Sequence, residues 1–412
     1  MSRASLVRPL VVVVGLLLIF GVLMVYSAGQ TDVPTAASGA WRRQLVWCGA
    51  GIVAMWVASR TSPRLLEWGA PALYIVSIGL LALTLVIGTG SGTAAGTKSW
   101  IAIGGQRIGQ PSELAKLGLI LMLARYLSGL RQAPQSLRDL LIPGILAGVP
   151  FLLVLAQPDL GSAIVFVGIL FAMLFWTGTP WRLLFLVASP VISLLLAFNT
   201  GIWSVWMLGL LALLFVWRPY VLESVVVFLL NSAMGAIAIP LWKRLAPYQQ
   251  NRLLTFLNPE VDPQNAGYQA IQSKNAIGSG GWLGHGFTEG PQKRLAFLPE
   301  QYTDFIFSVV GEELGFIGVA IALGLFLALF LTLVRVARRA TDPFSSLVAF
   351  GVLGLLFTHV FENVGMTVNV MPITGIPLPF FSYGGSFLVS CCLAVGLALR
   401  VARDSRLAGY AD

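Results

Sequence analysis

Read from the N-terminus, the chain alternates long apolar runs with short polar breaks. The runs lie near 10–28, 44–59, 70–88, 112–129, 140–156, 161–178, 183–199, 203–217, 222–242, 305–334, 345–365 and 379–401. A helix needs about 20 apolar residues to cross the hydrocarbon of a bilayer, within a range of roughly 17–25. The pattern therefore predicts twelve membrane-crossing helices. The run at 203–217 is the shortest, and the run at 305–334 is long enough to tilt or to extend past the bilayer. The first run, Leu10 to Tyr26, exceeds the apolar stretch of a usual signal peptide and is followed by further runs, so it is read as a retained first helix.

One connection breaks the series. Residues 243–304 contain no long apolar run, yet they hold Leu253, Phe256, Tyr268, Trp282 and Phe297 among charged residues. That mixture predicts an ordered, functional loop rather than a disordered one. Its Gly-rich stretch, Gly278-Ser-Gly-Gly-Trp-Leu-Gly-His-Gly286, is read as tight turns. The chain thus divides into N-terminal helices at 1–242, the loop at 243–304, and C-terminal helices with a short tail at 305–412. The expected fold class is an all-α polytopic integral membrane protein with 10–12 transmembrane helices, twelve by this count, and one long extracytoplasmic loop.

Charge supplies the orientation. With the N-terminus in the cytoplasm, fifteen arginines from Arg3 to Arg406 fall on the inner side. The short outer loops hold only Arg42, Arg43, Lys98 and Arg107. This bias places both termini in the cytoplasm and the long loop outside. Arg42 and Arg43 run against it. Composition agrees with the membrane assignment: of 412 residues 57% are hydrophobic and 10% charged, where a soluble domain carries about a quarter charged. The net charge of +9 comes from loop arginines without a basic, aromatic-interleaved stripe, which argues against nucleic acid as a partner. Cys48, Cys391 and Cys392 lie in apolar runs with no metal or redox spacing.

Ionisable residues inside the runs are the candidates for chemistry, because such groups are costly against lipid. Glu113 and Lys116, in Pro111-Ser-Glu-Leu-Ala-Lys116, share a helix face at i,i+3. They are either a pair that fixes packing or a site at which Lys116 meets an anionic group. Asp159, in Gln157-Pro-Asp-Leu-Gly161, is either a helix cap or a site residue. Glu260 and Asp262 suit a general base, a hard cation, or simply an Asp-Pro turn. Asp304 fits the membrane edge, and Glu312 and Glu313 should line protein interior. His359 and Glu362 stand at i,i+3, as a polar pair between helices or a proton relay. Three prolines and three glycines in Pro372-Ile-Thr-Gly-Ile-Pro-Leu-Pro-Phe-Phe-Ser-Tyr-Gly-Gly-Ser386 mark broken backbone, either a re-entrant turn or a place where free N–H groups near Ser382 face an anion.

These stretches in this order resemble the shape, elongation, division and sporulation family, whose best-known members are RodA and FtsW. The likeness rests on Gln110-Pro-Ser-Glu-Leu-Ala-Lys116, Gln157-Pro-Asp-Leu-Gly161, Asp262-Pro263 with Ala266-Gly-Tyr-Gln269, Phe297-Leu-Pro-Glu300, Thr303-Asp-Phe-Ile-Phe307, Gly311-Glu-Glu-Leu-Gly315 and Ser382-Tyr-Gly-Gly-Ser386. Ala276–Gly281 and Pro372–Pro377 are more similar to the RodA branch. The resemblance implies a peptidoglycan glycosyltransferase that polymerises lipid II at the outer face of the bacterial inner membrane for elongation and shape, with a class B penicillin-binding protein as partner. It places the essential loop aspartate on Asp262 and the buried lysine and glutamate on Lys116 and Glu113. Its arginine falls on Arg107, where two residues separate it from Gln110 instead of the usual one. Asp159, Glu300, Asp304 and Ser382 complete the substrate-binding candidates. A divalent cation, Mg or Mn, would bridge phosphate and carboxylate, with no metal ligands assigned. Members commonly have ten spans, so the pair near 183–242 is extra. A lipid II flippase and a non-catalytic scaffold are the rival readings.

Overall fold

The computed structural model describes residues 6–90, 98–103, 106–244, 250, 254, 256 and 267–408. Twelve helices of at least fifteen residues carry the described chain. They are α1 (Val7–Ala28), α2 (Ala40–Ala58), α3 (Pro63–Ile87), α4 (Pro111–Ser128), α5 (Leu141–Leu155), α6 (Leu160–Trp176), α7 (Trp181–Leu196), α8 (Thr200–Trp217), α9 (Val221–Arg244), α12 (Ile306–Arg338), α13 (Pro343–Thr367) and α14 (Gly385–Ala408). Two short helices, α10 (Tyr268–Ser279) and α11 (Pro291–Arg294), lie in the long connection. Each apolar run of the sequence falls on one long helix, and seven of these helices are long and apolar enough to cross a membrane.

The helix starts follow from local chemistry. Ser62, Asp159, Asn199 and Asp342 each accept a hydrogen bond from the backbone N–H three residues on, and Pro63, Pro111 and Pro343 open their helices. Such caps satisfy orphan donors and fix where a helix begins. Burial then sorts the helices. In α13 and α14, 72% of the apolar window is buried by protein, against 17% in α8 and α9. The last two helices are therefore the centre of the bundle, and α8 and α9 its rim.

The rim is a separate three-helix unit. Leu186, Met207, Leu210, Leu214 and Val227 form its own core across α7, α8 and α9. A polar knot ties it: Asn231 Nδ2 donates to Ser189 Oγ (2.8 Å), Trp203 Nε1 to Ser193 Oγ (2.9 Å), and Ser193 Oγ to the Asn231 carbonyl (2.8 Å). Polar side chains act as this kind of glue where lipid removes the hydrophobic drive between helices.

Two elements differ from expectation. The connection before α4 holds a β-hairpin, β1 (Ile101–Ile103) and β2 (Gln106–Gly109), with Ala102 paired to Arg107. And α12 is not one continuous helix. Gly315, at φ 60° and ψ −158°, breaks it into a short N-terminal piece and a longer C-terminal one. The run at 305–334 thus holds an irregular point that an apolar pattern does not mark. The Gly-rich turn inserts there. Phe316 N and Ile317 N donate to the carbonyls of Gly281 (2.9 Å) and Trp282 (3.2 Å), while His285 N and Gly286 N donate to those of Glu312 and Glu313 (both 3.0 Å). Backbone groups freed by the break thus meet partners from the turn, the condition for irregular backbone at membrane depth.

Candidate functional site

The polar centre of the bundle forms where α4, α6 and α13 meet the segment 372–386. Pro111 sets the start of α4, which puts Glu113 in its first turn and Lys116 one turn further. Lys116 is fully buried. Its Nζ donates to Glu113 Oε1 at 2.7 Å and stands 3.1 Å from His359 Nε2 on α13. The His359 ring lies 4.8 Å from that of Phe387 on α14. The expected pairing of His359 with Glu362 is not the one formed: the imidazole turns to Lys116 instead. Glu362 is fully buried and faces the Thr374 hydroxyl, but neither of its oxygens completes a hydrogen bond.

Asp159 caps α6, its Oδ1 accepting from Ser162 N at 3.0 Å. Its other oxygen accepts from Gln110 Nε2 at 2.8 Å. Gln110 precedes α4, so this one amide joins the starts of two helices. The starts of α4 and α6 therefore lie side by side near Lys116, each already carrying a carboxylate, Glu113 and Asp159. The α6 start packs closely on the re-entrant segment, since a Cβ on Gly161 would lie 3.1 Å from Thr374 Cβ.

Ser382 is buried and its hydroxyl is committed to backbone. It accepts from Leu378 N (2.7 Å) and donates to the Thr303 carbonyl (2.6 Å), holding the re-entrant segment to the end of the loop. Asn363 does the same from α13, donating to the carbonyls of Asp304 (2.8 Å) and Ile376 (2.7 Å). The Asp304 carboxylate lies beside Gly375. Glu300 takes a positive φ of 53° and accepts from Thr303 Oγ1 at 2.9 Å. Next to these, the Tyr302 ring packs at a tilt against that of Tyr383 (5.6 Å), and the Arg43 guanidinium sits over the Tyr383 ring at 5.3 Å. Burial pushes the Tyr302 phenol above the ordinary tyrosine range, and the Glu300 carboxylate adds to the shift. Arg43 thus lies against the Tyr302–Tyr383 pair.

Asp262 and Glu260 lie outside the described residues, as does the side chain of Arg107. Downstream of Asp262, the loop is firmly seated from Tyr268 onward. Helix α10 begins there, and its buried Ser273 Oγ pairs with Ser308 Oγ on α12 (2.6 Å) and donates to the Thr367 carbonyl of α13 (2.6 Å). Further along, Lys293 and Glu313 form a fully buried ion pair at 2.8 Å. Ser27 Oγ donates to Glu313 Oε1 (2.6 Å), and Glu312 Oε1 accepts from Gln292 N (2.6 Å) at the start of α11. Glu312 and Glu313 therefore face protein, and the second half of the loop is fastened to α1 and α12. Among the described residues, no three His, Cys, Asp or Glu side chains gather as a metal site.

Sequence reasoning overlooked Gln110, Ser273, Asn363 and Lys293 as organising residues. Each is a polar side chain whose task only the partner across the fold reveals.

The family model of the FtsW/RodA/SpoVE cell cycle proteins matches residues 7–208 and 186–407. The chain is 38% identical over 410 residues to the peptidoglycan glycosyltransferase RodA of Treponema pallidum, covering 92% of this chain and 94% of that one. A solved peptidoglycan synthase complex, described as coordinating polymerization and crosslinking, contains a chain 32% identical to this one. It superposes with a TM-score of 0.71 over 96% of this chain and 97% of its own. The rod shape determining protein RodA of Thermus thermophilus superposes with a TM-score of 0.61 at 29% identity, covering 96% of each chain.

Proposed function

This chain belongs to the FtsW/RodA/SpoVE family of cell cycle proteins, and on that premise we propose that it is a membrane-embedded peptidoglycan glycosyltransferase that polymerises lipid II for elongation and cell shape. The observation that carries this reading is the buried Lys116, held by Glu113 and His359 where the starts of α4 and α6 meet. An ionisable side chain buried inside a membrane bundle is by default a functional-site candidate, and here it stands beside two helix starts. A donor activated by pyrophosphate supplies an anion for Lys116.

In the proposed reaction, the acceptor sugar hydroxyl attacks the donor anomeric carbon. A new glycosidic C–O bond forms, and the bond to pyrophosphate breaks with its electron pair going to the leaving group. Asp262 takes the hydroxyl proton, a contribution of typically 10²–10⁴-fold. Lys116 and Arg107 stabilise the charge that gathers on the departing polyprenyl pyrophosphate. Glu113 and Asp159 hold Lys116 and the helix starts in register. Glu300, Asp304 and Ser382 shape the outer approach. A divalent ion, Mg or Mn, would be held by the loop carboxylates and would offset charge on the pyrophosphate. The described residues offer it no further ligand cluster, and no step runs through it.

The setting is the inner membrane, with twelve crossings, both termini cytoplasmic and the 243–304 loop outside. A class B penicillin-binding protein is the partner that cross-links the strands. Purified protein with such a partner, given lipid II and moenomycin to silence unrelated polymerases, should form glycan strands, and Asp262→Ala should form none. Strand formation by the variant removes Asp262 from the chemistry. Folded proteins that both fail would favour the flippase or the scaffold.

A further inference from the structure

We infer that His359 is a positioning residue for Lys116, accepting one ammonium N–H through a neutral Nε2 while Glu113 accepts a second, so that the third is presented to the anionic group of the substrate. This rests on the proposed polymerase reading for its substrate, but not for its geometry.

A lysine ammonium has three donors and no acceptor. Two of them have partners among the described residues, Glu113 Oε1 at 2.7 Å and His359 Nε2 at 3.1 Å. These partners come from different helices, α4 and α13, and hold a flexible four-carbon stem in one place. An ammonium can donate to Nε2 only if that nitrogen keeps its lone pair, so the proton of the neutral ring sits on Nδ1. Nδ1 faces the Pro377 carbonyl of the re-entrant segment without completing a hydrogen bond. The imidazole is therefore set between the ammonium and the 372–386 segment, with its plane backed by Phe387. A second proton on the ring would put two cations 3.1 Å apart and break the contact. The groups facing this pair are Glu113 on α4, Asp159 at the start of α6, Glu362 on α13 itself and Cys391 on α14.

The test uses His359→Gln and His359→Leu in the full chain. Gln carries a side-chain carbonyl that can take the place of Nε2 as acceptor, and it gains no charge on acidification. Leu keeps bulk but accepts nothing. Each variant is checked for wild-type detergent solubility and thermal unfolding. Binding of polyprenyl pyrophosphate and strand formation from lipid II are then measured across pH. Losing a hydrogen bond to a charged group should weaken pyrophosphate binding by about tenfold or more in His359→Leu, and should raise KM for lipid II more than it lowers kcat. His359→Gln should stay within about threefold of wild type. The acid-side loss of binding due to the ring should vanish in His359→Gln, while any acid limb that persists belongs to the carboxylates. Unchanged binding and KM in His359→Leu would overturn the inference. So would equal impairment of both variants with one pH profile, since that is packing alone. If wild type binds the pyrophosphate in this pattern but makes no strands, the polymerase reading fails and the positioning role stands.

Discussion

Replacing Lys293 with Met should release the loop from the broken helix. The Lys293 ammonium is fully buried, 2.8 Å from Glu313 Oε1, and it also donates to the carbonyls of Thr288 (2.9 Å) and Ser27 (3.2 Å). Met fills most of the same volume, so the cavity term is small. The electrostatic loss is not. Glu313 would stay buried with only the Ser27 hydroxyl, and two carbonyls would lose a donor. Breaking a buried pair from one side costs about 3–5 kcal/mol. The effect should be local, because the same segment supplies the backbone bonds that mend the Gly315 break. Amide exchange at His285, Gly286, Phe316 and Ile317 reads that local opening. At about 1.4 kcal/mol per factor of ten, their protection should fall by about 10²–10³-fold or more. The double variant Lys293→Met with Glu313→Leu should recover most of it, since an apolar replacement of a buried pair is often neutral to stability. Protection within about threefold of wild type in Lys293→Met would refute the clamp.

Gly315→Ala should reduce the yield of folded protein and its thermal stability, since the backbone there (φ 60°, ψ −158°) suits glycine and a Cβ would meet Gly284 N; wild-type yield and unfolding would argue that the break is not rigid. Ser273→Ala should cost about 1–3 kcal/mol by stranding the Thr367 carbonyl and the Ser308 hydroxyl, read as faster amide exchange confined to α10, and unchanged exchange would remove its seating role. Chelation by EDTA should stop strand formation, and added Mg or Mn should restore it, if such an ion offsets the pyrophosphate charge; full activity in chelator would leave that charge to Lys116 and Arg107 alone.

The helices were legible because a membrane span is a long local signal. About twenty apolar residues must run together, and every such run became a helix. Their starts were legible where a cap sat in sequence beside the run, as Asp159 does. What was hidden depends on partners far along the chain. His359 and Glu362 share a face of α13, so pairing them was the local expectation, but Lys116 lies 243 residues away from His359 and takes the imidazole instead. The break in α12 was hidden for the same reason. Gly315 sits inside an apolar run, and its freed carbonyls and N–H groups are met by residues 281–286, which precede it. The hairpin at 101–109 had a visible cue, two short β-prone stretches around Gly104-Gly105, which a pattern dominated by long apolar helices obscures. Asp262 was legible only through resemblance, since an Asp before Pro is otherwise an ordinary turn.

Irregular backbone and buried charge occur together at two places in this protein, and each explains the other. The Gly315 break needs hydrogen-bond partners, so a loop must reach it, and the loop arrives carrying Lys293. The re-entrant segment at 372–386 likewise needs partners, which Asn363 and Ser382 supply while tying that segment to residues 303 and 304. Asn363 lies one residue beyond Glu362 and one turn from His359 on α13. A helix that positions Lys116 is thereby fixed to both the loop end and the re-entrant segment. Exchange of Asn363 for Leu would leave the carbonyls of Asp304 and Ile376 without their donor. It should therefore loosen the 372–386 segment and shift His359 together, so that KM for lipid II and the amide protection near residue 376 change in the same variant. A change in one without the other would mean that the segment and the lysine are held independently.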